Sequence, residues 1–185
     1  MRWNCRRVRR SHRCVLPCLS PCPRALHIDH HPILESRQLL WADEAACEAW
    51  AHQLAGRTGI TQAFIALAGP LGAGKTTFVR HLLRALGVTG RIKSPTYTVM
   101  EPYTLADGGE AAHFDFYRFT DPREWLDAGL RDVFAGPGLK IAEWPGQVAG
   151  LLPRPDLRLQ IETADDDQRR VQVQALTVLG QALLA

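Results

Sequence analysis

The chain has 185 residues, 46% of them apolar and 22% charged, which is enough for one domain with a real core and ordinary for a globular protein. Its longest apolar runs fall far short of the ~20 residues of a membrane-spanning helix, so no integral helical membrane segment is expected. The net charge of +3 is uneven: residues 1–31 hold seven Arg and one acidic residue, Asp29, leaving 15 basic and 18 acidic residues beyond them. That remainder lacks the basic excess expected of a protein that reads DNA or RNA directly.

Residues 1–31 also hold four of the five cysteines, Cys5, Cys14, Cys18 and Cys22, with only Cys47 further on. This argues against a disulfide-built fold, and the body reads as that of a reduced, cytoplasmic protein. Cys14, Cys18 and Cys22 form a single ladder interrupted by Pro17 and Pro21, whereas zinc sites usually pair cysteines across a longer loop. The segment has no hydrophobic period and lacks the apolar core of a secretory signal. It reads as a disordered, dispensable extension, ahead of a zinc site or an RNA-binding arm, and residues 32–185 read as the folded domain.

Regular patterning begins near Ile33. Arg37–Trp41 is expected as a short strand, and Asp43 as the N-cap of a helix from Glu44 to Ala55 with Ala46, Trp50 and Leu54 inward, closed by Gly56 and Gly59. Phe64–Ala68 is apolar without alternation, as in a strand covered on both faces of a parallel sheet. Lys75–Leu86 has helical spacing, with Phe78, Leu82, Leu83 and Leu86 inward and Gly87 ending it. Val99–Tyr103 and Ala111–Phe116 read as strands joined by the Asp107-Gly108-Gly109-Glu110 turn. Asp121-Pro122 opens a short helix over Arg123–Ala128, ended by Gly129. Gly138–Ala142 is a further strand delivering Glu143-Trp144-Pro145. Leu157, Leu159 and Ile161, then Val171, Val173 and Ala175, alternate with polar residues on either side of Asp165-Asp166-Asp167, an antiparallel hairpin with one wet face and a solvated acidic turn. Thr177–Leu184 closes the chain as an apolar helix or tail.

The stretch Gly69-Pro70-Leu71-Gly72-Ala73-Gly74-Lys75-Thr76, followed by Thr77, has the spacing of a phosphate-binding loop between a strand and a helix. Such a turn aims several backbone N–H groups and the positive end of the helix dipole at one point. Gly69, Gly72 and Gly74 allow positive φ and close approach of the main chain to anionic oxygens. Lys75 is suited to reach the β- and γ-phosphates and the Thr76 hydroxyl to ligate Mg²⁺. Ser94, Pro95, Thr96, Tyr97 and Thr98 supply hydroxyls one strand away, suited to sensing a γ-phosphate or its metal, or else form a capped surface turn. Asp115 and Glu143 each end a strand, at the edge where α/β sheets bind ligands. One would hold the metal beside Thr76 and the other would orient or deprotonate a water, with the assignment open between them.

The motifs GPLGAGKTT, KSPTYTVMEPY, HFDFYR and IAEWP, in this order, resemble the bacterial TsaE (YjeE) family, the ATPase of tRNA threonylcarbamoyladenosine synthesis. The resemblance covers roughly residues 37–180. It implies an α/β P-loop NTPase fold, a single three-layer domain with a mixed central sheet and a C-terminal antiparallel hairpin. It further implies ATP or ADP on residues 69–77, Mg²⁺ held by Thr76 and Glu143, Asp115 needed for hydrolysis and 94–98 as a switch. Trp144 resembles the family's tryptophan beside the active site, and Arg169 or Arg170, with Asp43 and Glu44, would border the nucleotide. Family members bind the TsaB–TsaD pair, of which TsaD performs the transfer, so tRNA would be met through partners. A small-molecule kinase and a nucleotide-gated binding module without turnover remain alternative readings of the same residues.

Overall fold

A computed structural model describes residues 32–120, 124–125, 128–164 and 168–185. The 1–31 extension, half of the helix expected over Arg123–Ala128 and the Asp165-Asp166-Asp167 turn lie outside the described residues. Seven strands form one mixed sheet: β1 (Glu35–Trp41), β2 (Phe64–Ala68), β3 (Met100–Thr104), β4 (Glu110–Asp115), β5 (Leu139–Glu143), β6 (Leu157–Thr163) and β7 (Arg169–Ala175). Their order is β1-β7-β6-β2-β5-β4-β3. The four central strands β6, β2, β5 and β4 run parallel, and β1, β7 and β3 are antiparallel to their neighbours.

Helices α1 (Glu44–Ala55), α2 (Lys75–Ala85) and α4 (Val178–Leu184) cover one face, and α3 (Leu130–Ala135) with the 3-10 turn Pro145–Val148 packs on the other. The strand period of two distributes the side chains. Ile65, Leu67, Leu139, Ile141, Val171 and Val173 face α1 and α2. Phe64, Ala66, Phe114 and Ala142 face α3. On the first face Trp41, Trp50 and Phe78 form an aromatic group with ring centres 5.4–5.8 Å apart. On the second, Phe134 of α3 lies 4.6 Å from Phe114 and 5.0 Å from Phe64.

Local signals place most elements within a residue or two. Asp43 caps α1 as expected, accepting from the Ala46 N–H at 2.8 Å. The buried stripe of α1 is Cys47, Ala51 and Leu54, with Ala46 and Trp50 at its flank, because the helix meets α2 one position round from the stripe read from spacing. Glu124 and Trp125 are helical and the Ala128 N–H donates to the Glu124 carbonyl at 3.0 Å, directly before Gly129. Its positive φ of 63° precedes α3, a helix not anticipated from the sequence, whose Leu130, Val133 and Phe134 take their apolar environment from the sheet. Val99 lies outside β3 in a turn with φ 66°.

Asp156 joins the sheet's interior to α4. Its Oδ2 accepts from the Phe64 N–H at 2.8 Å, its Oδ1 accepts from the Thr177 hydroxyl, and Thr177 Oγ1 in turn caps α4 by accepting from the Gly180 N–H at 3.0 Å. Gly180 is required because an added Cβ would lie 2.0 Å from the Asp156 carbonyl oxygen. Asp156→Ala leaves the buried Phe64 N–H without an acceptor and should destabilise the fold by about 2 kcal/mol, Asp156→Asn by less. Urea unfolding reads this as a lower midpoint at unchanged slope, and an Asp156→Ala midpoint equal to the parent's contradicts it.

Candidate phosphate-binding and carboxylate site

The turn from β2 into α2 carries the glycine-rich loop. Gly69, Gly72 and Gly74 have φ of 141°, 79° and 102°, a region that side chains with a Cβ rarely enter. Gly69 is also constrained by space, since a Cβ there would lie 2.1 Å from the Ile161 carbonyl oxygen of β6. Leu71 at the loop tip is exposed and Ala73 buried. With Gly74 as N-cap and no side chain capping α2, the first N–H groups of the helix remain available to an anion.

The sheet brings the two acids together. β4 and β5 pair so that Asp115 lies opposite Glu143, and Glu143 lies opposite Leu67 of β2, two residues before the loop. Asp115, Glu143 and also His113 share the sheet face on which α2 lies, and all three are buried. Glu143 Oε1 accepts from the Thr76 hydroxyl at 2.8 Å and is 2.9 Å from His113 Nε2. A hydroxyl whose proton is committed to a carboxylate turns its lone pairs elsewhere, so Thr76 Oγ1 and the second Glu143 oxygen form an all-oxygen donor set suited to Mg²⁺.

Asp115 is occupied by the segment over residues 94–98. Its Oδ2 accepts from the Ser94 hydroxyl and, at 3.0 Å, from the Thr96 hydroxyl, while Oδ1 accepts from the Tyr117 N–H at 2.9 Å. Pro95 is buried, whereas Tyr97 is 83% exposed, with the Arg118 guanidinium over its ring. The Val99 carbonyl accepts the Asp115 N–H at 3.0 Å. Val99 and Trp144 are the two non-glycine residues with positive φ among those described, and both adjoin these acids.

Lys75 is 5% exposed, and its ammonium donates to the Gly69 and Pro70 carbonyls at 3.0 and 2.8 Å while lying 4.0 Å from the Trp144 ring centre. Two of its three protons therefore hold the loop's own backbone. Burial pushes the Lys75 ammonium below the usual lysine range, and Glu143 and Asp115 act in the opposite direction.

Of the residues expected beside the nucleotide, Asp43, Glu44 and Arg169 line a cavity of about 120 Å³ with Trp41, Cys47, Ala73, Gly74 and Thr77. Arg169 Nε donates to the Ala73 carbonyl at 3.1 Å, whereas Arg170, on the opposite face of β7, is exposed away from the loop. Glu44 Oε1 pairs with His81 Nε2 at 3.0 Å. His113 was not singled out from the sequence. Its signal was its place two residues before Asp115 in a strand, which puts both on one face.

A family model described as threonylcarbamoyl adenosine biosynthesis protein TsaE matches residues 41–171. A protein of Haemophilus influenzae named tRNA threonylcarbamoyladenosine biosynthesis protein TsaE is 41% identical over 119 residues, 64% of this chain and 74% of that protein. One of the same name from Streptomyces coelicolor is 37% identical over 117 residues, 63% and 78% of the two chains. The crystal structure of Bacillus subtilis YdiB superposes with a TM-score of 0.68 at 27% identity, covering 83% of this chain and 94% of that one.

Cys47 gives this region a chemical probe. Burial, with the nearby Glu44 and Glu48 carboxylates, pushes its thiol up to about 12 from an ordinary 9.0. A raised thiol pKa keeps the neutral form between pH 7 and 9, and its stabilising contribution is lost as pH rises from 9 towards 12. Iodoacetamide at pH 8 should alkylate Cys47 at least ~100-fold more slowly in the folded than in the urea-unfolded chain, as read by peptide mass mapping. Equal rates would contradict the burial argument.

Proposed function

The chain belongs to the TsaE family of threonylcarbamoyl adenosine biosynthesis proteins, and from that premise we propose that it is the auxiliary ATPase of tRNA threonylcarbamoyladenosine modification. In this reading it binds ATP with Mg²⁺ and hydrolyses it to ADP in complex with TsaB and TsaD, meeting tRNA through them in the cytoplasm. The observation that carries the reading is the convergence at one sheet edge of a glycine-rich loop, the Thr76–Glu143 pair and Asp115.

Each part has a role its chemistry allows. The N–H groups of the loop over residues 69–77 receive the β-phosphate, and the Lys75 ammonium meets the γ-phosphate. Thr76 and Glu143 would hold Mg²⁺, which would neutralise charge on the phosphate oxygens. Asp115 orients the attacking water once Ser94 and Thr96 release its Oδ2, so the switch segment over residues 94–98 governs when hydrolysis proceeds. Trp144 walls the Lys75 ammonium, and Asp43, Glu44 and Arg169 border the nucleoside side. The slight acidity of the body beyond residue 31 fits a protein that acts on a transferase rather than on tRNA itself.

Two variants separate this from the kinase and gated-binding readings. Asp115→Asn should retain ATP binding within about twofold yet lose at least ~100-fold in hydrolysis measured with TsaB–TsaD present. Lys75→Ala should lose at least ~tenfold in ATP affinity. A phosphorylated metabolite accumulating in step with ADP identifies a kinase instead, and an ATP turnover that TsaB–TsaD does not raise above background identifies a binding module.

A further inference from the structure

His113 is fully buried in β4 among Ala111, Ala112 and Phe114, and within hydrogen-bond distance it meets one polar partner, Glu143 Oε1, at 2.9 Å from Nε2. Among the described residues its Nδ1 is buried without a partner. A carboxylate oxygen accepts, so Nε2 is the donor in this bond. Burying a ring with an unsatisfied nitrogen costs free energy that an apolar residue at this position would avoid. The single bond it makes is therefore the reason for it.

That bond lands on the oxygen already taken by Thr76. With 2.8 Å to the Thr76 hydroxyl and 2.9 Å to His113, Oε1 is held by two donors from two different elements, α2 and β4. The carboxylate cannot rotate without breaking one of them. The register reinforces this arrangement: His113 lies opposite Ile141, two residues before Glu143 on the same face, so the imidazole reaches diagonally along the sheet. Oε2 is then the oxygen left for a cation, and the Thr76 proton stays directed at Glu143 with its lone pairs outward.

We propose that His113 is a positioning residue: it orients Glu143, and through Glu143 the Thr76 hydroxyl, so that both present oxygen to Mg²⁺. This rests on the reading of Thr76 and Glu143 as the metal-holding pair. Partners that orient metal ligands in this way typically contribute 10–100-fold in metal affinity.

The test measures binding of a non-hydrolysable imido analogue of ATP by the full-length chain, first in EDTA and then across a Mg²⁺ titration, together with urea unfolding midpoints. His113→Gln places an amide N–H near the position of Nε2, whereas His113→Asn is too short and His113→Leu has no donor. The Gln variant should keep the parent's half-saturating Mg²⁺ within about threefold, and the Asn and Leu variants should raise it at least ~tenfold, all with Mg²⁺-free analogue affinity within about twofold of the parent. Asn and Leu variants that only lower the urea midpoint while the Mg²⁺ curve stays in place overturn the proposal, as does a Gln variant no better than Asn. If the Leu variant does not fold, the Gln and Asn pair decides alone. A parent chain whose analogue binding ignores Mg²⁺ overturns the metal-holding reading itself, an outcome distinct from variants that match a Mg²⁺-responsive parent.

Discussion

The buried Glu143 carboxylate is the constraint on which the carboxyl edge of the sheet depends. A charge at 2% exposure is tolerated only when its oxygens find donors, and Oε1 finds them on Thr76 and His113. Those two residues come from the first turn of α2 and from the neighbouring strand, so satisfying one oxygen ties the phosphate loop to the strand that ends in Asp115. The Lys75 ammonium, buried in the same region, takes its remaining partners from the loop's own carbonyls. A cation, two acids and an imidazole are thereby held in a region shielded from water, where electrostatic interactions are stronger than at the surface.

Asp115 is satisfied in the same way, by Ser94, Thr96 and the Tyr117 N–H. The segment that covers it turns back through Val99, a β-branched residue with φ 66° whose carbonyl receives the Asp115 N–H. Positive φ is costly for a β-branched residue and persists only where surrounding bonds require it. Trp144, at φ 58°, turns the chain directly after Glu143 while its N–H donates to the Leu67 carbonyl at 3.1 Å. Strain therefore lies beside each of the two acids, where the chain leaves the sheet and must still keep a side chain at its edge.

Much of this was legible from residue order because the signals are local. Asp43 three residues before Ala46, the unbroken apolar run Phe64–Ala68, and the helical spacing after Gly74 each express free energies decided within one or two turns of chain. The loop itself is of this kind, since positive φ at Gly69, Gly72 and Gly74 and free N–H groups at a helix start require only the residues present there. α3 was missed because Leu130–Ala135 is short and its stability comes from Phe64 and Phe114 across the sheet rather than from its own propensity.

By itself, then, the sequence determined the loop, the order of the strands, the family to which the chain belongs and the two strand-end acids. Tertiary structure alone decided which partners those side chains hold. Strand order β2-β5-β4 set Leu67, Glu143 and Asp115 in one row and brought His113 to Glu143. The physical reason is that period and capping are energies of a short segment, whereas a hydrogen bond such as Thr76 to Glu143 joins residues 67 apart and exists only after the sheet has chosen its neighbours.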